Sequence, residues 1–226
     1  MGLSVTCLIP AWTEAARLPA VLAAVIGHPL VDEVLVVDDG STDATAEVAA
    51  AHGAQVLRQP RNGGKAAAVA AGLARLRGDV VLMLDADLAG LTPAHVTALL
   101  HPLLAGPARA TISLRANAPL PWRLIGLDYI SGERAMVTAS LRPHLAEMAG
   151  LRGFGLEVFL NRLWLEARLG IAVVELPAVA SPSKAAKHGL WRGFLGDLRM
   201  LADIFRTVGP STALAQIHGL RRLRLR

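Results

Sequence analysis

The sequence predicts one α/β domain: a doubly wound, mostly parallel central sheet with flanking helices. Three observations carry this. Short apolar runs alternate with helix-length stretches along the first 115 residues. The runs are near-continuous rather than alternating, as in parallel strands buried on both faces. Hydrophobic residues make up 53% of the chain and charged ones 18%, so a sizeable core is expected; at 4% aromatics it must be built mainly of Ala, Leu and Val.

The elements follow in order. SVTCLI (4–9) reads as the first strand and residues 14–26 as the first helix. EVLVVD (33–38) is the second strand, and STDATAEVAAAH the second helix with Ser41 as its cap. AQVLR, KAAAVAAGLARL and DVVLML supply the third strand, third helix and fourth strand. TPAHVTALLHPLL is a helix with Thr92 as cap and Pro93 at its first position. Residues 109–114 are a fifth strand. Regularity then fades: a Pro-containing loop at 117–122, helices at 131–141 and 156–169, the strand IAVVEL, a polar loop at 179–187 and a helix at 190–208. The tail from Pro210 allows a helix and ends RRLRLR. No internal repeat and no linker interrupts the chain, so 1–226 is expected to be one domain.

The totals narrow the function classes. Cys7 is the single cysteine, so an intrachain disulfide is excluded and a cytoplasmic setting is the simplest expectation. Neither a spanning helix nor a secretory signal is expected. A net charge of +5 favours phosphate-bearing partners. Nucleic acid is not the expected one, because no aromatic platform accompanies the basic tail.

Parallel sheets bind ligands beyond the carboxyl ends of their strands. Four loops fall there: IPAWTE (9–14), DDGSTD (38–43), RNGGKA (61–66) and DADL (85–88). Three carry carboxylates and one a Gly-Gly-Lys, a set suited to a nucleotide with its metal. A dinucleotide fingerprint is absent, since PAWTEA stands where G-x-G-x-x-G is needed. A P-loop fails on Gln59 and Ala66. A haloacid-dehalogenase-type phosphatase fails on position: DADLA follows the fourth strand and has Ala89 fifth. One cysteine and scattered histidines give no zinc site.

Taken together, the loops resemble those of the inverting glycosyltransferases of family 2, which have the GT-A (Rossmann-like) fold. IPAWTE is similar to that family's IPAYNE, VVDDGSTDAT to its second-strand signature, RNGGKAAAVAAGL to its N-x-G-K-x-x-A-x-x-x-G segment, and LDADL to its Asp-x-Asp motif. YISGERAMVTA and GFGLEVFLNRLWLEARLGIAVVELPA resemble segments of the polyprenyl- and dolichyl-phosphate sugar transferases, and carry the likeness to about Val179.

The resemblance implies a nucleotide-sugar-binding half (1–115), an acceptor-binding half (116–208) and a basic C-terminal tail (209–226). It implies Mg2+ or Mn2+ held by Asp87 and Asp85, the two residues expected to carry catalysis; oxygen ligands suit either ion. Pro10, Ala11, Glu14, Asp38, Asp39, Lys65 and Asp85 would bind a UDP- or GDP-hexose. Some relatives continue D-x-D-x-Q. Ala89 stands there in this chain, so His188 is the candidate for the missing ligand, and Ser183, Lys184 and Lys187 could close over the diphosphate.

A hydroxyl acceptor needs a general base. The Glu-Asp pair and Q-x-x-R-W string that serve such acceptors in the family do not occur. A phosphate acceptor needs cations, for which Arg115, Ser131 and Arg134 are the candidates. The expected reaction is therefore hexose transfer to a polyprenyl phosphate. The basic Arg221, Arg222, Arg224 and Arg226, with Leu190, Trp191 and Phe194, would make a peripheral contact at the inner membrane face. Two alternatives stand beside it: transfer to a soluble phosphorylated small acid or sugar, and a non-catalytic nucleotide-sugar-binding or interaction domain.

Overall fold

The computed structural model describes residues 2–115, 117–181 and 208–225. In chain order the elements are β1 (Val5–Ala11), α1 (Leu18–Val25), β2 (Glu33–Asp38), α2 (Thr45–Ala51), β3 (Gln55–Arg58), α3 (Lys65–Arg75), β4 (Val80–Met83), α4 (Pro93–Leu104) and β5 (Ala110–Arg115). Then come α5 (Leu120–Ile125), β6 (Arg134–Val137), α6 (Leu145–Ala149), α7 (Gly155–Glu166), β7 (Ile171–Leu176) and α8 (Pro210–Leu223).

The strands form one seven-stranded sheet in the order β3-β2-β1-β4-β6-β5-β7. All pairings are parallel except those of β6, which runs antiparallel to both β4 and β5. Each face of the sheet carries its own apolar layer. One joins Leu8, Val37 and Val81 to α3, α7 and α8; the other joins Cys7, Ile9, Val36 and Leu82 to α1 and α4. Burial on both faces explains why these strands read as unbroken apolar runs. The expected α/β architecture, a mostly parallel sheet with flanking helices, is what the described residues form.

Four local expectations are corrected. The helix expected at 131–141 is instead β6, whose neighbours on both sides are strands. Arg134, Ala135 and Met136 favour a helix locally, but their backbone completes the sheet between β4 and β5 while their side chains are fully buried. The loop at 117–122 contains the start of α5, where Trp122 enters the core. The first helix begins at Leu18, because Glu14–Arg17 form a separate turn in which the Arg17 and Leu18 amides donate to the Glu14 carbonyl. Ser41 does not cap α2, which begins at Thr45. The Thr92 cap of α4 stands as expected, with His95 closing the reciprocal box.

The C-terminal segment is a docked helix. Gln216 of α8 accepts from the Tyr129 hydroxyl at 2.7 Å, and the Leu225 amide donates to the Ile171 carbonyl at 2.8 Å, extending the β7 edge. Among the described residues no helix is long and apolar enough to cross a membrane.

Candidate active site

The sheet changes direction of winding at β1, which has β2 on one side and β4 on the other. Crevices open at such points. A cavity of about 420 Å3 lies there, within the range of small-ligand sites. Its wall takes Pro10, Ala11, Trp12 and Glu14 from the end of β1, and Asp39 from the end of β2. Asn62 and Gly64 come from the loop before α3, Lys65 and Ala68 from its first turn, and Asp85, Ala86 and Asp87 from the loop after β4. The four loops singled out in the sequence therefore meet in one place.

Gly40 makes this convergence sterically workable. Its φ is +67°, and a Cβ there would lie 2.6 Å from the Arg61 carbonyl carbon. Only glycine lets the Asp38–Asp43 turn pass so close to the Asn-Gly-Gly loop. Asp39 then grips that loop from the side, its two carboxylate oxygens accepting the Gly63 and Gly64 amides at 2.9 and 2.8 Å. Asp38 is fully buried and does not line the cavity. It accepts from the Ser41 amide at 2.9 Å and pairs with Arg58 at 3.2 Å.

Two residues lining the cavity, Lys65 and Asp85, belong to an ionic triad completed by Glu157. Lys65 Nζ lies 2.7 Å from Asp85 Oδ1 and 2.9 Å from Glu157 Oε1. Burial works against the ammonium, but the two carboxylates outweigh it and hold the Lys65 pKa above the ordinary lysine value. Burial likewise penalises the Asp85 carboxylate; Lys65 overrides this and holds its pKa below the usual range. Asp87 behaves oppositely. Among the described residues it has no cationic partner so close, and burial, then repulsion from Asp85 and Glu14, raise its pKa. A carboxylate crowded by two others is a place where a cation is favourable.

Glu157 did not emerge as a site residue in the sequence. It is the Glu of the GFGLE string that carries part of the resemblance, but it was given no role there; it sits on α7, 92 residues from Lys65. Trp12, 56% exposed, stands at the cavity rim and was also missed.

The three acceptor candidates fall differently. Arg134 and Ser131 have no exposed surface. The Arg134 guanidinium donates to the carbonyls of Ser131, Tyr129 and Glu157 and to Asn161 Oδ1, and lies over the Trp164 ring at 4.9 Å. Burial lowers its pKa to about 10. Ser131 bonds to Ser113 and Glu133. Both hold the wall behind Asp85 rather than face the cavity with a free donor. Arg115 is more open. It pairs with Asp128 at 3.1 Å and Glu133 at 3.4 Å, and donates to Ser181 Oγ. It also lines a second, open cavity of about 350 Å3 with Leu114, Arg123, Glu175 and Pro177. His188, Ser183, Lys184, Lys187, Leu190, Trp191, Phe194, Arg226 and most of the helix expected at 190–208 lie outside the described residues.

Residues 6–150 match the family model described as glycosyl transferase family 2. The chain belongs to that family. The family 2 chain is 48% identical over 86 residues to an uncharacterized glycosyltransferase of Mycobacterium bovis, a stretch covering 38% of each. It is 37% identical over 94 residues to a dolichyl-phosphate beta-glucosyltransferase of Trichomonas vaginalis, covering 35% of this chain and 29% of that one. The matched stretches thus span less than half the length of these curated relatives. Among solved structures, it is similar to the glucosyl-3-phosphoglycerate synthase of Mycobacterium tuberculosis in complex with Mn2+, UDP and glucosyl-3-phosphoglycerate. The TM-score is 0.69 at 27% identity, covering 96% of this chain and 81% of that one.

The donor set of the cavity fits a divalent ion. Asp85 and Asp87 both line the cavity and offer hard oxygen ligands, and a cation beside Asp87 would offset the burial and the Asp85 and Glu14 repulsion that oppose its charge. Among the described residues no group of three or more His, Cys, Asp or Glu side chains is arranged to hold a metal unaided. Two carboxylates leave coordination positions for the phosphate oxygens of a ligand.

Proposed function

We propose that this family 2 chain is a metal-dependent glycosyltransferase that takes a hexose from a UDP-sugar and delivers it to a small phosphorylated acid. The observation that carries the donor half is the cavity between β1 and β4, where all four motif loops meet around Asp85 and Asp87. Asp87 and Asp85 would hold Mn2+ or Mg2+, which when bound supplies positive charge to the departing diphosphate. Pro10, Ala11, Glu14 and Asp39 surround the place of the nucleoside, Asp39 acting mainly by fixing the Gly63–Gly64 backbone. Lys65 keeps Asp85 ionised and correctly turned. The buried Asp38 holds the turn from behind.

The acceptor is where the proposal departs from a polyprenyl phosphate. Likeness over 96% of the chain to a synthase crystallised with a phosphoglycerate product supports a small anionic acceptor. The open cavity beside the strand ends, where Arg123 stands with Glu175 and the carboxylate-paired Arg115, offers such an acceptor a cation in Arg123. A second reading, transfer to a lipid phosphate at a peripheral membrane contact, is supported by the dolichyl-phosphate relative over 35% of the chain. The exposed Arg221 and Arg222 on the outer end of α8 suit it as well. A non-catalytic role is disfavoured by the intact Asp85/Asp87 pair.

The deciding experiment incubates the protein with Mn2+, a panel of UDP- and GDP-sugars, and either 3-phosphoglycerate or a short-chain prenyl phosphate, with product read by mass spectrometry. A hexosyl-phosphoglycerate from a UDP-sugar is expected. Product with prenyl phosphate alone would install the second reading, and no product with any pair would contradict both.

A further inference from the structure

Three consecutive amides of the loop after β1 are held by two side chains of the loop before α2 and by Thr45, the first residue of α2. The Thr13 amide donates to Ser41 Oγ at 2.9 Å, the Glu14 amide to Thr45 Oγ1 at 2.9 Å, and the Ala15 amide to Asp43 Oδ2 at 3.1 Å. The acceptors are themselves tied down. Asp43 Oδ1 accepts from the Thr45 amide at 3.1 Å and from the Thr45 hydroxyl, and the Ser41 amide donates to Asp38 Oδ1 at 2.9 Å.

What the clamp holds is strained. Thr13 has φ of +57°, in the left-handed region, where a β-branched side chain is a genuine outlier. IPAYNE, the family string this loop resembles, has Asn at the corresponding position, and Asn tolerates that region far better. Strain of this kind persists only where the surroundings over-determine it. Relaxing Thr13 to negative φ would turn the following peptide and swing Glu14, a residue of the cavity wall whose carboxylate accepts from Arg17 at 2.8 Å and lies close enough to raise the Asp87 pKa.

We infer that Ser41, Thr45 and Asp43 are positioning residues: they hold Thr13 in its left-handed conformation and so set the Glu14 carboxylate in the donor cavity. The inference rests on the donor-site reading above. It also gives DDGSTDAT a division of labour. Asp38 and Asp39 shape and hold their own and the Gly-Gly loop, while the Ser-Thr-Asp-Ala-Thr part reaches across to the loop of the neighbouring strand. Ser41, unable to cap α2 from its distance, has this other use.

The test compares wild type, Ser41→Ala, Thr45→Val, Thr13→Asn and the pair Ser41→Ala/Thr13→Asn. Two quantities are read: amide hydrogen exchange at residues 13–15 by NMR, and UDP affinity in the presence of Mn2+ by calorimetry. Losing one hydrogen bond of ordinary net worth should speed exchange at the released amide about two- to tenfold and weaken UDP by a similar factor. In kinetics KM for the UDP-sugar should rise with kcat held within about twofold. Thr13→Asn in the Ser41→Ala background should restore most of the loss, because the left-handed conformation no longer has to be enforced. A merely structural hydroxyl would lower the melting temperature, leave UDP affinity unchanged and show no rescue; that result overturns the inference. If wild type binds no UDP, the donor-site reading fails, while the exchange rates still decide whether the clamp exists.

Discussion

Gly132 gives the sharpest perturbation of the site. A Cβ at this position would lie 2.6 Å from both Asp85 carboxylate oxygens and 2.7 Å from Lys65 Nζ, where ordinary contact begins near 3.4 Å. Gly132→Ala therefore puts a methyl group against the Lys65–Asp85 ion pair. The atoms must separate by about 0.8 Å. The Lys65 side chain can bend away at small cost, but Asp85 has a short stem and is packed at the end of β4. Stability should fall by about 1–3 kcal/mol, the usual range for overpacking. Activity should fall much further, about a hundredfold, because a displacement approaching 1 Å at the carboxylate proposed to hold the metal would disturb the reacting geometry. The assay pairs kcat/KM with a thermal melt. If Gly132→Ala keeps activity within about twofold of wild type, the Lys65–Asp85 pair does not set the catalytic geometry and the reasoning is wrong.

Glu157→Gln keeps an acceptor for Lys65 but removes a charge; stability should drop by about 1 kcal/mol and kcat by about tenfold, measured by denaturant melts and initial rates. Arg134→Lys should behave as a folding defect, losing about 3–5 kcal/mol by urea titration, because a point-charge ammonium cannot replace a fork that reaches four acceptors. A stable but acceptor-blind Arg134→Lys protein would instead make Arg134 a substrate ligand. Asp79 has its pKa lowered by the Ser4 amide and then the Ser4 hydroxyl. A depressed carboxylate contributes stability that is present above its unfolded pKa and is lost as pH falls through its folded value. Asp79→Asn should therefore narrow its stability gap from wild type as pH drops below the ordinary carboxylate range of about 3.9, followed by circular dichroism.

Much of this was legible in the sequence because the relevant physics is local. A strand buried on both faces must be apolar throughout, so β1, β2 and β4 announce themselves, and a parallel sheet places the residues after them at one edge. That brought Glu14, Asp39, Lys65, Asp85 and Asp87 together before any coordinates. What stayed hidden depends on distant pairing. β6 is a strand because two other strands flank it, and nothing in Arg134–Val137 says so. Glu157 meets Lys65 only through the packing of α7 on α3. Arg134 reads as a phosphate ligand by its charge, yet its guanidinium is enclosed by carbonyls that sequence cannot locate. Asp38 and Asp39 look alike on paper; β2 turns one inward to Arg58 and the other toward Gly63 and Gly64.

The central claim is that Asp85 and Asp87 hold a divalent ion against the diphosphate of a UDP-sugar. Calorimetric titration of UDP into the protein with Mn2+, with chelator, and with Mn2+ into Asp87→Asn tests it most directly. Wild type with Mn2+ should bind UDP, and both other titrations should show at least tenfold weaker binding, with the variant's melting temperature close to wild type. UDP binding of equal strength in all three would contradict it.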